Sequence, residues 1–248
     1  MKKHTDWIKE MSWTEFRDRK ATCDTVIIPG GAIEVYGPHL PLGTDSLVSW
    51  KMCELLAERT GAMIGPTIEA GESDVLFNFP GTVRIRPHTY ELVMRDIIES
   101  MIKWGFKNFL FLNMHAGNVP IITQLCREYQ RSAGIKCAQI DWWRFTQPNT
   151  RDICEYSGWM AHGHASECGT SLMLYLWPEL VDETKFDCVK LDPKFSRYPD
   201  IITYDPFENK TSSGILGDAT AASREKGEKI VNACLDRMEQ FMKEYFTE

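Results

Sequence analysis

The sequence predicts an α/β fold, with a mainly parallel sheet and helices on both faces. Three observations predict it. Short β-rich runs alternate with amphipathic helical stretches over the first 140 residues, the grammar of βαβ units joined by right-handed crossovers. One run, Asn108-Phe-Leu-Phe-Leu112, is apolar without alternation, as in strands buried on both faces. No linker, internal repeat or low-complexity tract divides the 248 residues, so a single domain over 1–248 is expected.

Taken in order, Thr25-Val-Ile-Ile28 reads as the first strand and ends in Pro29-Gly30-Gly31. A helix follows from Asp45 to Arg59, with Leu47, Val48, Met52, Leu55 and Leu56 at helical spacing and Asp45 as its expected N-cap. Ala62-Met-Ile-Gly65 is a short strand. Thr89 to Trp104 is a helix whose Val93, Ile97, Met101 and Met94, Ile98, Ile102 form one stripe, with Gly105 placed to stop it. The apolar strand 108–112 leads to a helix near Val119 to Ser132 and a strand near Lys136 to Ile140. Beyond these, Asp192 to Glu208 is rich in Pro and Asp and reads as an ordered loop or edge excursion. Ser223 to Phe246 is a final amphipathic helix.

Composition sets bounds on partners. Hydrophobic residues at 43%, charged at 25% and aromatic at 11% describe an ordinary globular chain, neither disordered nor collagen-like. A net charge of −7 argues against binding to phosphate backbones or anionic lipid, so neither nucleic acid nor membrane is an expected partner. The basic N-terminus has no apolar stretch after it, no run is long enough to span a bilayer, and the eight cysteines form no C-x-x-C pair. A cytoplasmic protein with thiols used as small buried hydrophobes is expected.

In open α/β sheets ligands bind beyond the carboxyl ends of the strands. Two segments there carry metal-binding side chains. Pro29 to Asp45 holds Glu34, Tyr36, His39 and Asp45, and Asn113-Met-His-Ala-Gly-Asn118 holds His115 directly after the most apolar strand. A third segment, His162-Gly-His-Ala-Ser-Glu-Cys-Gly-Thr-Ser171, places His164 and Glu167 three apart, on one face if a helix begins there. Singly, each residue has a plainer reading: Asp45 as a cap, His115 as a hydrogen-bonded loop histidine, Glu34 as a solvated charge. Together they favour a site, because His39, His115, His162 and His164, four of the six histidines, fall in these segments.

Two carboxylates and an imidazole suit Zn²⁺, Mn²⁺ or Fe²⁺ and leave an open position for water. Such an ion acidifies water and polarises a carbonyl, which makes amide hydrolysis feasible at neutral pH. Gly30-Gly31 fits neither G-x-G-x-x-G nor G-x-x-x-x-G-K-[ST], and none of the three segments contains Lys or Arg, which argues against a nucleotide.

Glu34-Val-Tyr36-Gly-Pro-His39-Leu-Pro-Leu-Gly-Thr-Asp45 and the Gly-Ala-Ile before it, Phe79-Pro-Gly-Thr82, Asn113-Met-His115-Ala-Gly-Asn118, His164 to Leu174 and Ala222-Ser-Arg-Glu-Lys-Gly-Glu228 resemble, in order, the motifs of the creatininase family. The resemblance implies a three-layer α/β/α fold, a homohexamer and a metal site that hydrolyses cyclic amides or related C–N bonds of a small molecule. It implies Glu34, Asp45 and His115 as ligands of a first ion, Asp45 as a bridge to a second, and His164 as an active-site histidine beside the substrate. Trp143 resembles an aromatic that covers the substrate, with packing at a strand end as the alternative, and Tyr36 is assigned with it to substrate contact.

Three positions depart from the family pattern. Tyr36 stands where a histidine is usual, and Gly117 and Gly169 where glutamates are usual, so one or two ions per subunit remain open. Glu167 matches the glutamate of a His-Ala-Gly-Glu variant and is the expected general base or substitute ligand. The function expected is a metal-dependent amidohydrolase. Its rivals are hydrolysis of a formamide-type or peptide substrate in a biosynthetic pathway, or a non-catalytic relative that has lost the second metal.

Overall fold

The computed structural model describes residues 5–198, 200–201 and 203–247. Helix α1 (Trp13–Lys20) opens the chain. A Ser12/Glu15 capping box starts it, with the Ser12 N–H donating to Glu15 Oε2 at 2.6 Å. It buries no residue, so it carries no apolar stripe, and only the S-x-x-E spacing could have announced it. Strand β1 (Thr25–Gly30), helix α2 (Thr44–Thr60), strand β2 (Met63–Ile64), helix α3 (Pro87–Lys103), strand β3 (Asn108–Asn113), helix α4 (Val119–Ser132) and strand β4 (Lys136–Asp141) follow. The four strands form a parallel sheet in the order β2-β1-β3-β4.

That order fixes the layers. From β1 the chain steps through α2 to β2 on one side, then crosses back over β1 through α3 to β3 and onward through α4 to β4. The direction of winding reverses between β1 and β3, and the right-handed rule then places α2 on one face and α3 and α4 on the other. The core bears this out. Ile27, Leu110 and Leu112 pack with α2 and the C-terminal helices, while Val26, Ile28, Phe109 and Phe111 pack with α3 and α4. Residues 109–112 are apolar throughout because both faces of β3 are covered.

After β4, helices α5 (Trp142–Asn149), α6 (Trp159–His162) and α7 (Glu167–Leu176) lead to a small antiparallel pair, β5 (Cys188–Val189) and β6 (Gly217–Asp218), and to helix α8 (Arg224–Tyr245). The expected loop between 192 and 208 is irregular with short 3₁₀ turns, and Pro199 and Ile202 within it lie outside the described residues. Two local expectations are corrected. Helix α2 begins one residue before Asp45, with Gly43 preceding it, so Asp45 lies inside the first turn and is not its cap. Trp142 and Trp143 do not end a strand but open α5, whose eight residues are too few to show a clear period.

Candidate metal centre

Gly30 of β1 is in register with Asn113 of β3, and Asn113 with Asp141 of β4, so three strands end on one line. The reversal between β1 and β3 leaves a crevice there, the usual ligand position in such sheets. The segment after β1 enters it from one side and the segment after β3 from the other. Asn118 stitches them together. Its amide donates to the Gly31 carbonyl at 3.0 Å and its Oδ1 accepts the Glu72 N–H at 3.0 Å. Thr82 supports the same loop, since its hydroxyl oxygen accepts the Val35 N–H at 3.1 Å.

This scaffold brings Glu34, Asp45 and His115 together, all buried, with ligand atoms within 4.8 Å of one another. His115 Nδ1 lies 3.2 Å from Glu34 Oε2 and 3.3 Å from Asp45 Oδ2. His115 Nε2 donates to the Glu72 carbonyl oxygen at 2.7 Å, which leaves the Nδ1 lone pair for the cluster. Ligands about 2.1 Å from a tetrahedral ion stand roughly 3.4 Å apart, so the spacing and the hard-to-borderline donor set both fit Zn²⁺ or Mn²⁺.

The electrostatics agree. Burial would push the Glu34 carboxyl up, but the charge and hydrogen bonds of His115 and His164 hold it well below the usual range. Burial would lower His115, yet Glu34 and Asp45 raise it well above an ordinary imidazole. Burial, with Glu34 nearby, raises Asp45. Two carboxylates around one nitrogen demand a cation between them, a proton or a metal.

Ser73 was not anticipated, nor was its neighbour Glu72. The Ser73 hydroxyl donates to Glu34 Oε2 at 2.7 Å and so orients a ligand oxygen. The 71–74 segment lacks periodicity and motif spacing, and only its nearness in space marks it. His164 reaches the cluster from the far side. Its Nδ1 donates to the Gly214 carbonyl at 2.8 Å, its Nε2 lies 3.3 Å from Glu34 Oε1, and its ring lies against Tyr36 and Phe207.

The cluster opens into a cavity of about 580 Å³. Glu72, Trp143, Trp159, His162, His164 and Phe207 are among its walls. Trp143 is therefore a wall residue, while Trp159 and Phe207 lie outside every motif used above.

Two expected site residues do not line the main cavity. Tyr36 is buried, its ring lies against His164, and it lines with Asp45 a small internal pocket, not the main cavity. Burial first, then the charges of Asp45 and Glu34, raise its phenol well above the usual value, so it stays a neutral donor. Glu167 does not join the cluster. Helix α7 starts only at Glu167, and Ala165 at φ 53° and the extended Ser166 turn the chain between it and His164. The two side chains therefore share no helical face. Glu167 Oε1 meets Lys226 Nζ at 2.5 Å, and its carboxylate accepts the backbone N–H groups of Glu155 and Tyr156.

Comparison with known proteins agrees with this geometry. A family model described as "Creatinine amidohydrolase" (Creatininase) matches residues 9–242. The chain belongs to the creatininase family. It is 32% identical to creatinine amidohydrolase of Pseudomonas putida over 97% of both chains. It is 30% identical to the mycofactocin precursor peptide peptidase of Mycolicibacterium smegmatis, over 87% of this chain and 85% of that one. A solved structure named "Creatininase Mn" superposes with a TM-score of 0.84 at 29% identity, covering 99% of this chain and 100% of the other. A Zn-Zn form of a creatininase variant superposes at 0.83 with 28% identity and the same coverage. A creatininase-family hydrolase is thereby supported, with a triad whose geometry could hold a metal ion, and no helix among the described residues is long and apolar enough to cross a membrane.

Proposed function

We propose that this creatininase-family chain is a metal-dependent amidohydrolase that breaks a C–N bond of a small cyclic amide. The observation that carries the reading is the buried Glu34-Asp45-His115 triad opening into an aromatic-walled cavity of about 580 Å³, a volume suited to a small molecule. Glu34, Asp45 and His115 would hold a divalent ion, which would supply Lewis-acid polarisation and acidify water. Trp143, Trp159 and Phe207 bind the flat, apolar part of the substrate. His164, held by Gly214, presents Nε2 to the cavity and protonates the departing nitrogen.

With Glu167 engaged elsewhere, Glu72 is the carboxylate placed to take the proton. It is half-buried on the cavity wall, and its Oε2 lies 2.9 Å from where a Cβ on Gly117 would stand. It thus occupies the space that a side chain at 117 would enter. Water adds through oxygen to the carbonyl carbon, its proton passes to Glu72, and the C–N bond breaks as His164 donates to nitrogen. The chain would carry one tightly held ion, since Tyr36 and Gly117 offer no ligand for a second. The eight free cysteines suit a reducing cytoplasm.

The test is metal analysis of the protein and of a His115→Ala variant, with ring opening assayed on creatinine and related cyclic amides. We expect about one ion per chain, lost in the folded variant, and turnover that falls roughly 100-fold or more in Glu72→Gln at unchanged metal content. Retained metal in folded His115→Ala would refute the site. The likeness to a peptide peptidase favours a second reading, a short peptide substrate, and release of amino acids from peptides with inert cyclic amides would select it. Neither metal nor turnover would leave a non-catalytic relative.

A further inference from the structure

Glu167 is fully buried, titratable and unused by the chemistry above. Its carboxylate accepts the Glu155 N–H at 2.7 Å on Oε1 and the Tyr156 N–H at 3.2 Å on Oε2. Lys226, in the first turns of α8, reaches Oε1 at 2.5 Å and also donates to the Ala221 carbonyl at 2.6 Å. Glu155 contributes a second, longer contact to the same ammonium at 3.7 Å. One carboxylate therefore ties three pieces of chain together: α7, the start of α8, and the 150–158 loop.

That loop joins two walls of the cavity. Helix α5 before it carries Trp143, Arg144 and Gln147, and Gly158 and Trp159 follow at its end. Two consecutive peptide N–H groups in the loop bond to a side chain from another element, so part of its conformation is imposed from outside. His162 of α6 adds a second tie, because its ring nitrogens face the hydroxyls of Thr146 in α5 and Thr150 at the start of the loop at 3.5 and 3.3 Å. Trp159 follows this frame as a lining residue of the cavity, with 55% of its surface exposed.

We propose that the Glu167–Lys226 pair is a latch that sets the position of Trp159 and so governs how substrate is held, which makes Glu167 a positioning residue. The proposal rests on the reading of this cavity as the substrate site. A charge-assisted bond to two backbone donors holds a loop more firmly than neutral turns do. The pair touches neither Glu34, Asp45 nor His115. Loosening it should therefore spare the ion and the bond-breaking step while degrading binding.

The experiment compares wild type with Glu167→Gln, Lys226→Met, the combined variant and Lys226→Arg, using creatinine as probe. Hydrogen–deuterium exchange across 150–160, bound metal per chain, melting temperature, KM and kcat are read for each. We expect faster exchange in 150–160 with β3 unchanged, full metal content, and KM raised about tenfold with kcat within roughly twofold in the first two variants. Lys226→Arg should behave as wild type. The combined variant removes the charge imbalance, so its melting temperature should recover towards wild type while KM stays raised. Recovery of both would reduce the pair to a stabilising salt bridge and overturn the latch, as would lost metal, a fall in kcat alone, or unchanged exchange in the loop. If wild type opens no cyclic amide, the proposed substrate fails, and the latch is then decided by the exchange and metal measurements.

Discussion

An added Cβ at Gly117 would fall 2.0 Å from the Glu72 carbonyl oxygen and 2.7 Å from His115 Nε2, so glycine is required by the close approach of the 71–74 segment. Gly117→Ala must push that carbonyl away and deprive His115 of its acceptor. Losing a partner that orients a ligand typically costs about 10- to 100-fold in metal affinity, and competition with a chelator measures it. An unchanged affinity would show that His115 needs no such support. His39 answers differently to its surroundings. It is buried with Nε2 against the Thr170 hydroxyl at 2.9 Å and Nδ1 without a partner, and burial lowers its pKa to about 4. In the unfolded chain it takes up a proton near 6.5 and in the folded chain only near 4. Its contribution is therefore fully present above 6.5 and is lost as pH falls towards 4, by at most about 3 kcal/mol. Urea unfolding at pH 7.5 and pH 5 should show a flatter loss in His39→Gln than in wild type.

At the scale of elements, Phe79-Pro-Gly-Thr82 illustrates how a motif can act without touching the ion. Thr82 holds the Val35 backbone, and the neighbouring Val83 N–H donates to the Ile33 carbonyl at 2.8 Å, so Glu34 is fixed from both sides. Thr82→Val keeps the shape but leaves a donor unpaired, an expected loss of about 1–2 kcal/mol in denaturant unfolding with weaker metal binding. Thr82→Ser should stay close to wild type. Equal effects of the two would mean that packing, not the hydroxyl, matters. Helix α7 shows the opposite case, in which a correct motif pointed to the wrong partner. The spacing of His164 and Glu167 is helical, but the left-handed Ala165 intervenes before the helix begins, so one side chain turns to Glu34 and the other to Lys226.

For the whole molecule, we propose assembly into a homohexamer, as the family resemblance implies. Light scattering should then give six copies of 28.5 kDa, and a monomer at micromolar concentration would refute it. The net charge of −7 adds that nucleic acid should not bind at physiological salt, which a mobility shift assay checks.

The α/β class, the striped helices and the doubly buried β3 were legible in the residues alone, while the resemblance of the motifs to the creatininase family singled out Glu34, Asp45 and His115 among the candidate ligands. Periodicity, an unbroken apolar run and motif spacing are local signals, and each survives folding unchanged. The folded chain alone shows that Tyr36 lies with Asp45 in an inner pocket, that Glu167 binds a loop, and that Ser73, Glu72, Trp159 and Phe207 line the cavity. The physical reason is direction. Residues 72, 159 and 207 are far apart along the chain and meet only in the folded cavity, and a side chain's aim depends on a single backbone angle such as that of Ala165, which no periodicity records.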